Sequence, residues 1–228
     1  MRHLVCAAGM AWLTACNVLD REEPIRVFAR TIEGEGAKQV RAQVRLGAGE
    51  LHIQGGGRKL LEADFRTRDP EPRVKYLVRD GRGELEIESR ASGRRGGGDD
   101  RWNLRLEDTT PLNLLVVLGA GESRLDLKTV ALERAEVKMG AGTLDLDLAG
   151  NYSSNVDVEV HGGVGQARIF FPKSIGVTID AKGGIGSITA RGLNKKDDGY
   201  VNAAYGSAKN EMRVRVRGGV GQIDLICE

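Results

Sequence analysis

The chain has 228 residues, 40% hydrophobic and 29% charged, a globular composition that excludes wholesale disorder. Aromatic residues make up only 4%, which disfavours nucleic-acid recognition by base stacking. A net charge of +2 gives no overall pull toward nucleic acid or a membrane surface, and the 32 glycines, lacking a collagen-like period, read as turns.

At the N-terminus, Met1, Arg2 and His3 form a short cationic start, and Leu4 to Trp12 is apolar but too short to span a bilayer. Leu13-Thr14-Ala15-Cys16 follows. This arrangement resembles a bacterial lipoprotein signal peptide with its lipobox. The resemblance implies cleavage after Ala15 and acylation of Cys16; a secretory signal with a chance cysteine is the alternative. Cys6 would leave with residues 1–15. Only Cys16 and Cys227 would then remain, so no disulfide framework is available despite export. Residues 16–38, with Asp20, Arg21, Glu22, Glu23 and Pro24, read as a tether to the fold. No later stretch approaches 18 apolar residues.

From there on a Gly-x-Gly phrase returns seven times, at Gly47, Gly81, Gly119, Gly140, Gly163, Gly184 and Gly219. Three residues before the first glycine stand Val44, Val78, Val116, Val137, Val160, Ala181 and Val216; six after it stand Ile53, Ile87, Leu125, Leu146, Ile169, Ala190 and Leu225. Both arms alternate apolar and polar, the period of a half-buried strand. Each repeat is therefore expected as strand, glycine corner, strand. Intervals of 21 to 23 residues in the middle of the chain suit one turn of a β-solenoid with rungs about 4.8 Å apart. The expected fold is all-β, a parallel β-solenoid of stacked rungs, with an antiparallel β-sandwich of hairpins as the alternative. Residues 60–66 and 101–106 read as extra strands, and Ser92–Asp100 as a loop. Residues 193–210 read as a polar insertion turning at 194–199, and Trp102 as a packing residue over the first rungs.

The outward columns carry the candidate sites. Two residues before the glycine come Arg45, Arg79, Val117, Lys138, His161, Lys182 and Arg217. This is a basic stripe suited to anionic lipid headgroups or acidic envelope polymers, unless Glu136, Glu159 and Asp180 beside it neutralise it. Five residues after the glycine, Glu86, Arg124, Asp145 and Arg168 would alternate in sign if rungs stack in chain order. Asp126, Asp145 and Asp147 could hold a cation or hydrolyse glycans, but an exposed ion-paired face is the simpler reading. His52 and His161 fall in different columns, a poor metal set. No Gly-x-Gly completes a nucleotide-binding motif or leads into a helix, so no catalytic, cofactor or metal residue is assigned.

VRLGAGELHIQGG, VVLGAGESRLDL, VKMGAGTLDLDL, HGGVGQARIFFP and KGGIGSITARGL resemble the bacterial toast-rack family. The resemblance covers about residues 40–228, and the C-terminal half is similar to the extracytoplasmic domain of LiaF-like cell-wall-antibiotic response proteins. It implies a solenoid-like stack, an adhesin-like domain and no catalytic residues. LiaF-like members that carry membrane helices restrain a sensor kinase; this chain has the lipobox-like segment in place of those helices.

The expected organisation is a signal segment 1–15, a tether 16–38, an N-terminal toast-rack region 39–110 and a LiaF-like region 111–228. The expected function is a non-catalytic, lipid-anchored cell-envelope scaffold, binding or regulatory, in envelope stress. An adhesin-like surface module is the alternative, and a polysaccharide-modifying enzyme the outside one. Expected partners are the membrane through the Cys16 lipid and an envelope protein or anionic polymer, with no nucleic acid and no cofactor. Asn17 supplies no aspartate-type retention signal, which points to the outer membrane in a two-membrane organism.

Overall fold

The computed structural model describes residues 24–90 and 100–227. The signal segment, Cys16 and the expected loop at 92–100, apart from Asp100, lie outside the described residues. The strands are β1 (Arg26–Ile32), β2 (Gln39–Gly57), β3 (Leu61–Thr67), β4 (Arg73–Arg79), β5 (Arg82–Glu88), β6 (Arg101–Glu107) and β7 (Leu112–Asp126). They continue with β8 (Leu132–Asp147), β9 (Val156–Phe170), β10 (Gly176–Lys182), β11 (Ile185–Arg191), β12 (Asn194–Lys196), β13 (Gly199–Val201) and β14 (Glu211–Ile226).

The alternating pattern produces the stack expected from it. β2, β7, β8, β9 and β14 each run through one Gly-x-Gly, and β10 with β11 flank another. These rungs pair in parallel with glycine opposite glycine, in the order Gly49, Gly121, Gly142, Gly165, Gly221, Gly186. The fold is therefore an all-β, mostly parallel, solenoid-like stack and not an antiparallel sandwich. Among the described residues, antiparallel pairing is confined to its ends, where β4 pairs β5, β3 pairs β6 and β1, and β13 pairs β10 and β12.

Glycine is required at the corner for two reasons. Gly142 has φ +130° and Gly165 φ +141°, which L side chains rarely adopt. A Cβ on Gly165 would also collide with the carbonyl oxygen of Gly142, and one on Gly142 with that of Gly121. The arms bring their apolar columns into one core. Ile87, Val44, Val116, Val137, Val160, Val216 and Ala181 stand side by side and buried on the first arm. Leu104, Ile53, Leu125, Leu146, Ile169 and Leu225 do the same on the second. Between rungs, Leu127, Leu148 and Phe171 are fully buried and prolong the backbone ladder, the Leu127 amide donating to the Asp147 carbonyl at 2.9 Å. At one end, buried Trp102 meets Phe65 edge-to-face at 5.1 Å and packs over Leu51.

Two expectations need correction, and the order of rungs, left open by the sequence, is defined. The Gly81 copy is not a corner. Asp80 and Gly81 both have positive φ and turn the β4–β5 hairpin, so β5 lies along the first arm of β2, Leu85 beside Ala42 and Ile87 beside Val44. Residues 26–32, expected within the tether, form β1 on the edge of β3. The rungs are also not in chain order. β14 inserts between β9 and the β10–β11 rung, pairing in parallel with all three. The insertion before it forms a β12–β13 hairpin whose turn at 197–198 falls inside the expected one, and its Asn202, 3% exposed, fastens it down. Asn202 Oδ1 accepts from the Val177 amide at 3.0 Å while Nδ2 donates to the Pro172 and Ile175 carbonyls at 3.0 and 2.8 Å.

Gly165→Ala is expected to lose about 3 kcal/mol or more, from strain plus overpacking. Gly162→Ala, where a Cβ meets nothing within 4 Å and φ is ordinary, should stay within about 1 kcal/mol. Urea unfolding distinguishes them; equal losses would show that the carbonyl contact does not set the corner. Val137→Asp buries an unpaired charge and should prevent cooperative folding, whereas Asp145→Asn on the outer face should cost under about 1 kcal/mol. Far-UV circular dichroism melts of the two variants check that register.

Candidate functional site

Outward residues of successive rungs lie about 4.8 Å apart, so their charges form ladders. On the second arm the order is His52, Arg124, Asp145, Arg168, Asp224, Thr189. Arg168 donates to both Asp145 oxygens, at 2.6 and 2.7 Å, and Arg124 approaches the same carboxylate at 3.9 Å. Glu86 does not join this ladder, because β5 places it beside Gln43 on the other arm. Lys128 bridges Asp126 and Asp147 at 3.3 and 3.1 Å. The three aspartates that might have formed a hydrolytic or cation-binding set are thus each engaged by a cation.

The basic stripe exists on the first arm, with one member missing. Its order is Arg45, Val117, Lys138, His161, Arg217, Lys182. Arg79 is absent from it, since β4 sets Arg79 opposite Arg82 in the hairpin. The acidic column lies alongside. Lys138 is 2.7 Å from Glu136, Arg217 is 2.5 Å from Asp180, and Glu159 receives Arg215 at 2.7 Å and Arg134 at 3.4 Å. The Arg217 hydrogen bond, then the charges of Arg217, Lys182 and Arg215, hold the Asp180 carboxyl below its ordinary range despite partial desolvation. Lys138 does the same for Glu136. An open trough of about 710 Å³ runs beside the stripe, bordered by Val117, Lys138, His161 and Arg217 over the glycine backbone.

Glu136, Glu159 and His161 bring one ligand atom each within 4.8 Å of one another, a grouping that the column reading did not consider. Both carboxylates already hold cationic side chains, so the cluster is an ion-pair network. His52 stands on the other arm, beside Arg124.

A second feature escaped the columns because only the positions flanking the corner show it. Just before the first glycine, β2, β7 and β8 carry Leu46, Leu118 and Met139, all buried. β9, β14 and the β10–β11 rung carry Gly162, Gly218 and Gly183 instead. Inside the motif the change is opposite, Ala48, Ala120 and Ala141 giving way to Val164, Val220 and Ile185. Those three are 56%, 46% and 76% exposed. A cavity of about 150 Å³ opens at this corner, reaching Met139 and Leu144. The signal, LGAG or MGAG against GGVG or GIG after glycine, was present in the sequence; its consequence needed the three rungs to be neighbours.

A capped, mostly parallel solenoid with a glycine corner is the class of protein these features define. Residues 21–170 match the family described as the N-terminal domain of toast_rack, DUF2154, and the chain belongs to that family. β2 and β7, on either side of the expected boundary at 110/111, pair in parallel along both arms. A crystal structure of a candidate cell adhesion protein from Clostridium sporogenes ATCC 15579 is similar over 90% of this chain and 100% of its own, at 34% identity and a TM-score of 0.85. A candidate adhesin from Bacteroides fragilis NCTC 9343 aligns over 90% of this chain and 98% of its own, at 10% identity and a TM-score of 0.27, too distant to carry an argument. No curated protein matches.

Arg217→Gln tests the stripe's pairing. A carboxyl whose folded pKa is depressed stabilises the fold above its unfolded value, here about 3.8, and loses that contribution as pH falls through the lower folded value. The melting-temperature gap between wild type and variant should be constant near neutral pH and shrink as pH falls below about 3.8. A gap that persists there would mean Arg217 acts through its bonds to the Asp180 and Val216 carbonyls instead.

Proposed function

We propose that this chain is a non-catalytic module of the cell envelope that works by surface contact, in an adhesin-like or scaffold role. The similarity to the Clostridium sporogenes structure, complete over that chain and at 34% identity, carries the reading. The described surface is consistent with it, since its carboxylate groupings are closed by arginine and lysine. The lipobox-like Leu13-Thr14-Ala15-Cys16 supports anchoring through an acylated Cys16, with the outer membrane as the site in a two-membrane organism. The trough beside Lys138, His161 and Arg217 is the contact surface we assign, facing an envelope protein or an anionic envelope polymer. Arg45 and Lys182 extend it to either side.

In-cell crosslinking followed by affinity capture and mass spectrometry tests this, with Cys16→Ser as the unanchored control. The expected outcome is recovery of an envelope polymer or a surface protein with wild type and its loss with the control. Dominant capture of a membrane sensor kinase would favour the regulatory role in envelope stress. Cytoplasmic recovery of both forms alike would overturn the anchored reading.

A further inference from the structure

The exchange of side chains at the corner of the last three rungs moves apolar volume from inside the stack to outside it. Where Leu46, Leu118 and Met139 fill the corner, Gly162, Gly218 and Gly183 leave room. Ile223 and Ile188 lean toward that room, each with its Cδ1 near the Cβ position of Gly218 or Gly183. At the β9 level nothing does, because a Cβ on Gly162 meets no atom within 4 Å and the facing residue is Ala167, where the β8 rung has Leu144. Three spatially adjacent rungs share the exchange, although β14 reaches its place out of chain order. The mostly apolar cavity of about 150 Å³ has room for a benzene-sized apolar group.

The surroundings specify the rest of an occupant. Exposed Val164, Val220 and Ile185 line the same cavity, so apolar surface continues from it to the outside. His161 and Arg217 line it too, and Lys182 adjoins Gly183. Asp180 faces both Arg217 and Lys182, and Glu159 and Glu136 lie beside His161, so Arg134, Lys138, Arg215, Arg217 and Lys182 stand against three carboxylates. One apolar slot, too small for two chains, bordered by an apolar ridge and an excess of positive charge, matches one kind of ligand.

We propose that the corner of the β9, β14 and β11 rungs is a binding site for a single-chain anionic amphiphile such as a fatty carboxylate. Its chain enters the cavity between Gly162 and Ala167 and runs over Val164 and Val220. Its head group meets Arg217, Lys182 and His161. The bound molecule replaces the side chains that the earlier rungs supply themselves.

The test titrates sodium decanoate into the full-length chain carrying labelled isoleucine and valine methyls. Saturable shifts are expected at Val164, Val220, Ile188 and Ile223, with smaller ones elsewhere. Gly162→Leu copies the neighbouring rungs and should fill the slot, weakening decanoate by about tenfold or more while leaving the melting temperature at or above wild type. Ala167→Leu, which copies Leu144, is the second blocking variant should the first fail to fold. Lys182→Gln with Arg217→Gln should weaken decanoate several-fold and leave neutral 1-decanol unaffected. Shifts that do not saturate, or undiminished decanoate affinity in a folded blocking variant, would overturn the site. Binding to phosphatidylglycerol vesicles without binding to decanoate would overturn it in favour of a membrane-surface contact.

Discussion

The contact on which the rest of the structure depends is between glycine Cα atoms and carbonyl oxygens at the corner. At Gly121, Gly142, Gly165, Gly221 and Gly186 the backbone of one rung sits where a side chain of the next would have to be. Neighbouring strands can keep a ladder spacing of about 4.8 Å through the bend only if that column holds no Cβ. The corner therefore also sets register. A slip by one residue would drive a side chain into the neighbouring carbonyl and turn both alternating arms inside out.

A register set by glycine says nothing about order, and the chain uses that freedom. β14 makes equivalent pairs with β9 on one side and with β10 and β11 on the other. It closes two strand edges at once, so the C-terminal segment completes the stack and does not merely extend it. The ends are handled by antiparallel strands, which fit where no further rung follows. β13 covers β10 under the hold of Asn202; β6 pairs the second arm of β2 in parallel, and antiparallel β3 and β1 continue outward from it around Trp102 and Phe65.

Parallel stacking also explains the surface. Like positions on adjacent rungs become neighbours, so a column of one sign would repel itself, and the chain interleaves signs instead. Arg124, Asp145, Arg168 and Asp224 alternate along one arm; on the other, the basic column leans on an acidic one. Such ladders consume the carboxylates that catalysis or metal binding would need. What the ladders leave open is the trough by the basic stripe and the apolar corner beside it.

Alternating Val and Leu columns around Gly-x-Gly are local patterns, so the strands, the parallel stack, the packing role of Trp102 and the turn near Asn194 could all be read from residues alone. The Gly81 copy was misassigned because its columns matched by composition. The Asp80-Gly81 pair, a strong hairpin signal, outweighs that match once β5 can pair with the first arm of β2. Arg79 left the basic stripe for the same reason. The order of rungs was not legible at all, since the columns of β14 fit against β9 as well as those of β10 and β11 do. The sequence by itself determined the rung, because alternation and a side-chain-free corner are properties of one strand. Only the tertiary structure decided which rungs are neighbours, and with that the cavity, because Gly162, Gly218 and Gly183 make one space only when β14 lies between the other two.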